Sequence, residues 1–185
     1  MSDVLSPARP IETAEPAIRA LDAREASSRL PELADLLVDA VAHGASVNFL
    51  AGFQHHEAEA FWRGQVSGIA DGSRVLLVAE AAGRIVGTVV LTFAPQPNAP
   101  HRAEIGKMLV HSSLRKRGLG TRLLMEAEER ARAAGRTLLL LDTETDSAGE
   151  GLYRRCGWTC FGVVPGHSYR TDGRLSSASY FYKTV

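Results

Sequence analysis

Apolar positions recur along the chain with two different periods, and the change between them divides it. Leu33, Leu36, Leu37, Ala40 and Val41 fall at helical spacing in PELADLLVDAVAHG, with Pro31 at the first turn and Gly44 as a stop. A second stripe, Ala58, Phe61, Trp62, Val66 and Ile69, runs through HHEAEAFWRGQVSGIA to Asp71-Gly72. AIRAL (17–21), ahead of both, reads as a first short strand. From residue 74 the texture turns β-rich. RVLLVAEAAGRIVGTVVLTF predicts a hairpin turning at 81–83, which PQPNAP (95–100) ends. RAEIGKMLV (102–110) predicts the next strand, with Glu104, Gly106, Met108 and Val110 on one face and Ile105, Lys107 and Leu109 on the other.

The helical period then returns. Leu123, Leu124, Ala127, Ala131 and Ala134 form the apolar stripe of a helix that starts near residue 119 and stops at Gly135. RTLLLLDTE is continuously apolar, as expected of a strand buried on both faces. SAGEGLYRRCG predicts a short helix, and WTCFGVVPG and ASYFYKTV predict closing strands. The order is helices, an antiparallel group, one β-α-β crossover, a helix and a final hairpin. It describes an α/β (α+β) sheet with a single parallel crossover and no internal repeat. Residues 1–15, rich in Pro, Ser and acids, are expected to form a disordered lead-in, and residues 16–185 a single domain.

Composition narrows the function classes. Apolar residues make up 45% of the 185 and charged residues 23%, with a formal net charge of zero, so the chain as a whole is no polyelectrolyte. Cys156 and Cys160 are spaced C-x₃-C, unlike the usual redox or zinc C-x₂-C, and read as small packing residues. His55 and His56 are adjacent and so do not share a helix face; no metal site is expected. There is no transmembrane run, and MSDVLSPARPIETAEP has no apolar signal core, so the expected location is the cytoplasm, away from any membrane.

The most informative stretch is RKRGLGTRLL (115–124), a basic glycine turn between a strand and a helix. Helix N-termini carry unpaired N–H groups and the positive end of the dipole, and glycines allow close backbone approach to an anion. A Walker A loop is excluded, because no G-x-x-x-x-G-K-[ST] string exists. Gly118-Leu119-Gly120, with Asp142 about twenty residues on, imitates a dinucleotide fingerprint. Against it, Leu123 holds the third Gly position and antiparallel strands come first. Seven cations stand against three acids between 115 and 136, but no aromatic is interleaved, so the stacking platform of a single-strand binder is missing. A solvated helix face accounts for Arg130, Arg132 and Arg136.

What remains is R-x-x-G-x-G (Arg115, Gly118, Gly120) between strand and amphipathic helix, followed by GLYRRCGWTCFG (151–162). In these two motifs and in strand order the chain resembles the GNAT acetyltransferase superfamily. HGASVNFL (43–50), RAEIGKMLVHSSLRKRGLG (102–120), LLLDTETDS (139–147), PGHSYRTDGRL (165–175) and YFYKT (180–184) resemble its tabtoxin-resistance acetyltransferase branch. The likeness spans about residues 30–185. It implies a GNAT fold, a mixed, mostly antiparallel sheet with a β-α-β acetyl-CoA-binding core flanked by helices. It also implies acetyl-CoA as co-substrate, no metal, and direct acetyl transfer to a small-molecule acceptor, without nucleic acid, by a monomer or homodimer.

The resemblance assigns residues as well. The pyrophosphate is expected on Arg115, Lys116, Arg117, Gly118, Leu119, Gly120 and Thr121, and the pantetheine arm along Met108, Leu109 and Val110 as an added strand. A backbone N–H of that strand is the expected donor to the thioester oxygen. Tyr153 is the expected acid for the leaving thiolate, and Asp142 its functional partner, at a strand end where α/β sheets open their clefts. Each also has a plain structural reading, Tyr153 as a core tyrosine and Asp142 as a cap. Glu104 and His111 are weaker base candidates. NFLAGF (48–53) and HSYRTDGR (167–174) are expected to border the acceptor, with Arg170 or Arg174 available to a carboxylate. The acceptor is a hydroxyl, as in tabtoxinine-β-lactam, or a primary amine of a metabolite, antibiotic or protein. A non-catalytic acyl-CoA sensor is the reading from another class.

Overall fold

The computed structural model describes residues 15–185, so the expected lead-in lies almost wholly outside the described residues. Seven strands form one sheet. They are β1 (Ala17–Leu21), β2 (Arg74–Ala81), β3 (Arg84–Phe93), β4 (Arg102–Val110), β5 (Leu138–Glu144), β6 (Thr159–Tyr169) and β7 (Leu175–Thr184). The spatial order is β1-β2-β3-β4-β5-β7-β6, antiparallel throughout except for the β4–β5 pair. Helices α2 (Leu30–Ala42) and α3 (His55–Ala70) cover one face; α4 (Leu119–Ala133) and α5 (Ala148–Arg155) cover the other.

Alternation along β2 shows how both faces are filled. Leu77 and Ala79 join the α4 side, with Val89, Leu91, Leu123, Leu124 and Phe181. Leu76 and Val78 join the α2–α3 side, with Leu33, Leu37 and Trp62. Such a strand reads as an unbroken apolar run because each face has its own helix layer.

Three expectations need correction. A short helix, α1 (Ala23–Ser28), was not anticipated. Its apolar content is low, and its available signal was the capping box, in which Asp22 accepts from Glu25 N–H at 2.7 Å and Glu25 accepts from Asp22 N–H at 3.2 Å. Strand β5 is not buried on both faces: Leu139 and Leu141 enter the α4-side core, whereas Leu138 and Leu140 are half-buried because α2 and α3 pack over β2–β4 and stop short of β5.

The third correction is at β4, where strict alternation fails. Thr88 faces Leu109 while Val90 faces Gly106, so the strand carries an extra residue opposite Val89. Lys107 takes φ 46° there, and its carbonyl accepts a 2.9 Å hydrogen bond from Thr88 Oγ1. Ile105 therefore packs on the α4 side with Met108 and Val110, while Leu109 packs on the α2–α3 side. In EIGKMLV strict alternation would set Lys107 on the face of Ile105 and Leu109, and the pattern does not say where a bulge falls.

Candidate functional site

The bulge coincides with a fork in the sheet. β4 and β5 pair in parallel only from Arg102–Leu138 to Glu104–Leu140 and then part, so the C-terminal half of β4 has β3 on one side and no strand on the other. Met108, Leu109 and Val110 lie on this stretch, where alternate residues turn their backbone N–H and C=O groups away from β3 and no strand pairs on that side.

At the end of β4 the chain makes a 3₁₀ turn (Ser112–Leu114) and enters α4 through the glycine turn. The turn is rigidly held. Asp39 on α2 accepts from Ser112 N–H at 2.8 Å and from Ser112 Oγ at 2.7 Å. Arg115 donates to the Val110 carbonyl and the His43 carbonyl, each at 3.2 Å, so its guanidinium ties the strand end to the end of α2. The three cations thus divide: Arg115 is a brace, whereas Lys116 and Arg117 are exposed beside the helix. Gly118 caps α4 at φ 83°, without any side-chain cap. The N–H groups of Leu119, Gly120 and Thr121 consequently have no partner among the described residues, the arrangement that receives an anion. Gly120 has a separate role, since a Cβ there would stand 3.3 Å from Leu152 Cδ2 of α5, which would have to give way by a few tenths of an ångström.

Tyr153 on α5 reaches the fork from the α4 side. It is 7% exposed, with ring centroids of Trp158 and Phe181 at 6.0 and 6.1 Å. Burial, with the Asp142 charge and Cys156 adding to it, pushes its hydroxyl well above the ordinary tyrosine range. The group is a proton donor at any ordinary pH.

Asp142, at the end of β5, is exposed on the opposite face, beside Tyr180 in the β5–β7 register. Tyr180 Oη lies 2.8 Å from His167 Nε2. Thr143 turns away toward Ser147, as alternation requires. Glu144 shares Asp142's face and is held by Arg170 at 3.0 Å, while Arg174 is held by Asp172 at 2.6 Å. Both arginines expected to be available to an acceptor are therefore already neutralised. His111 caps the 3₁₀ turn by accepting from Ser113 N–H, and Glu104 is exposed where β4 and β5 still pair.

A roof covers the Asp142 side. The loop between α2 and α3 carries Phe49 and Phe53, stacked at 4.0 Å, and Phe49 meets Phe61 of α3 edge-on at 5.4 Å. Ala51 N–H donates to the Thr171 carbonyl at 3.2 Å, joining this loop to the β6–β7 turn. A cleft of about 320 Å³ opens behind Phe53, walled by Val38, Val41 and Thr171; neither Asp142 nor Tyr153 lines it. The remaining occupant of this side is Lys107, which sequence reasoning did not single out. Its trace in the sequence is a cation between Ile105 and Leu109, in the apolar half of the strand.

Among the described residues no three His, Cys, Asp or Glu side chains are grouped to hold a metal ion, and no helix is long and apolar enough to cross a membrane.

Known proteins share this overall arrangement of strands and helices. The model of the acetyltransferase (GNAT) family matches residues 38–158. The chain belongs to the GNAT acetyltransferases. Among solved structures, a GNAT acetyltransferase from Streptococcus pneumoniae is 25% identical, with a TM-score of 0.72 over 92% of this chain and 100% of that one. A ribosomal-protein-alanine N-acetyltransferase from Brucella melitensis is 26% identical, with a TM-score of 0.70 over 91% and 99%. A Salmonella typhimurium protein solved with its cofactor acetyl-CoA shares the GNAT fold, at 18% identity and a TM-score of 0.73 over 92% and 94%. The matched family segment contains β4, the glycine turn, α4, β5 and α5, the elements that make the fork.

Proposed function

We propose that residues 16–185 act as one catalytic domain that moves an acetyl group from acetyl-CoA directly to a small polar acceptor. The observation that carries this reading is the meeting of three features at one fork: an uncapped α4 N-terminus, a free β4 edge, and Tyr153 and Asp142 on opposite faces of the β5 end. Acetyl-CoA supplies the activated acetyl group, whose transfer releases a thiol. The N–H groups of Leu119, Gly120 and Thr121 would hold its pyrophosphate, with Lys116 and Arg117 as an outer fringe. Met108–Val110 would pair with the pantetheine arm and offer an N–H to the carbonyl oxygen. Tyr153 would give its proton to the leaving sulfur, and Asp142 would draw the proton from the acceptor.

The likeness of residues 43–50, 139–147 and 165–175 to the tabtoxin-resistance branch supports a toxin or antibiotic of amino-acid type as acceptor. An amine acceptor is the second reading, favoured by the similar Brucella chain, which is named for N-acetylation of a ribosomal-protein alanine. Thiol release from acetyl-CoA in the presence of an acceptor panel tests the proposal. Acceptor-dependent release is the expected result. Tight coenzyme binding with no turnover on any acceptor would establish the sensor instead.

A further inference from the structure

Lys107 is the odd residue of the acceptor side. The two arginines of the β6–β7 turn have carboxylates: Arg170 has Glu144 and Arg174 has Asp172. Lys107 has no ion pair or hydrogen bond from its Nζ among the described residues. The β4 bulge sends its side chain under the roof, where Nζ stands 5.2 Å from the Phe61 ring centroid and 6.0 Å from that of Phe49. Burial disfavours its charge, and the Asp142 carboxylate favours it from too far away to form a pair. The ring faces supply part of the missing solvation and fix the ammonium in place. Half-buried cations without a counter-charge are uncommon, because the lost hydration is not returned.

We propose that Lys107 is the anchor for a carboxylate on the acceptor, so that this face of the fork selects amino-acid-like acids over neutral amides and polycations. Lys107, a cation without an ion pair, then shares a side of the fork with the unpaired carboxylate of Asp142. An acceptor with its acid group on Lys107 presents its amine or hydroxyl toward Asp142. The phenylalanine faces that would otherwise attract a cationic acceptor are already filled by the protein's own ammonium, and a polyamine would meet a like charge there. This assignment rests on the acetyltransferase reading and adds to it the class of acceptor.

The test compares thiol release from acetyl-CoA with free L-amino acids, with their carboxamides and with spermidine, for the wild type, Lys107→Met and Lys107→Arg. The wild type is expected to use acids with a KM roughly tenfold or more below that of the matching amides, the usual weight of a charge-assisted contact. Lys107→Met is expected to raise the KM of the acids by about that factor and to leave those of the amides and of acetyl-CoA within about twofold. Lys107→Arg should keep the preference for acids. A wild type that prefers amides or spermidine, or transfers to none of the acids, overturns the assignment. So does a Lys107→Met enzyme in which acid and amide KM change alike. Calorimetric binding of acetyl-CoA, measured separately, tells the two readings apart: its loss in the wild type sinks the acetyltransferase proposal, and its presence with the wrong acceptor preference sinks Lys107 alone.

Discussion

A tyrosine on an exposed helix face releases its proton near pH 10. Tyr153 is set under Trp158 and Phe181, within range of the Asp142 charge, and both effects oppose formation of the phenolate. An acid must be protonated to act. In the acid role proposed for it, a raised pKa keeps Tyr153 protonated as pH climbs, and any loss of kcat from its ionisation is expected above the ordinary value of 10.0. Tyr153→Phe should lower kcat by about 10²-fold or more with the acetyl-CoA binding constant little changed. An alkaline kcat midpoint below pH 9 that disappears in Tyr153→Phe would contradict the burial argument, and an unchanged kcat would remove the residue from the chemistry. Lys107 belongs at this scale too. Its place under the roof depends on a bulge that the spacing of residues does not locate, whereas Tyr153 and Asp142 are candidates from motif and position alone.

At the scale of elements, the chain was readable where one face or one period dominates. The helical stripes of α2, α3 and α4 and the β2–β3 hairpin follow directly from spacing. β4 and β5 misled for a shared reason: the polar-apolar pattern reports what covers a strand on average, and here coverage changes partway along. The bulge reverses faces within β4, and the α2–α3 layer ends before β5. The glycine turn separates two roles that the sequence had merged. Gly118 is needed for its left-handed backbone, with open space around a would-be Cβ, whereas Gly120 is needed for the seat of α4 on α5. Gly118→Ala thus tests backbone geometry alone. At φ 83° an alanine costs about 1–3 kcal/mol, so the turn is expected to relax and the KM for acetyl-CoA to rise by about tenfold. Lys116→Ala removes only an exposed charge and should raise it by less than about threefold. The reverse ranking in steady-state kinetics would mean that charge, not N–H geometry, holds the anion.

For the whole molecule, the end of the sheet remote from the fork is fastened by one buried carboxylate. Glu128 of α4 is 4% exposed; it accepts from Trp158 Nε1 at 2.9 Å and from Lys183 Nζ at 2.7 and 2.9 Å. Lys183 also donates to the Cys156 carbonyl at 2.8 Å, so α4, the end of α5 and β7 share one clasp. Nothing in the helical spacing of α4 marks Glu128 as buried, because its partners Trp158 and Lys183 lie far off in sequence. Lys183→Met leaves the carboxylate with Trp158 and a distant Arg132, and should destabilise the fold by about 3 kcal/mol. Urea unfolding should show the lower midpoint while kcat stays near the wild-type value; a midpoint within error of wild type would mean that water solvates Glu128 adequately.

The Ala51–Thr171 hydrogen bond has a consequence at this same scale. It makes one wall from two segments that lie far apart in the chain, the α2–α3 loop and the β6–β7 turn. In the function proposed here, acceptor choice then belongs to the pair and to neither segment by itself, and a loop transplanted without the turn it meets is expected to lose this contact.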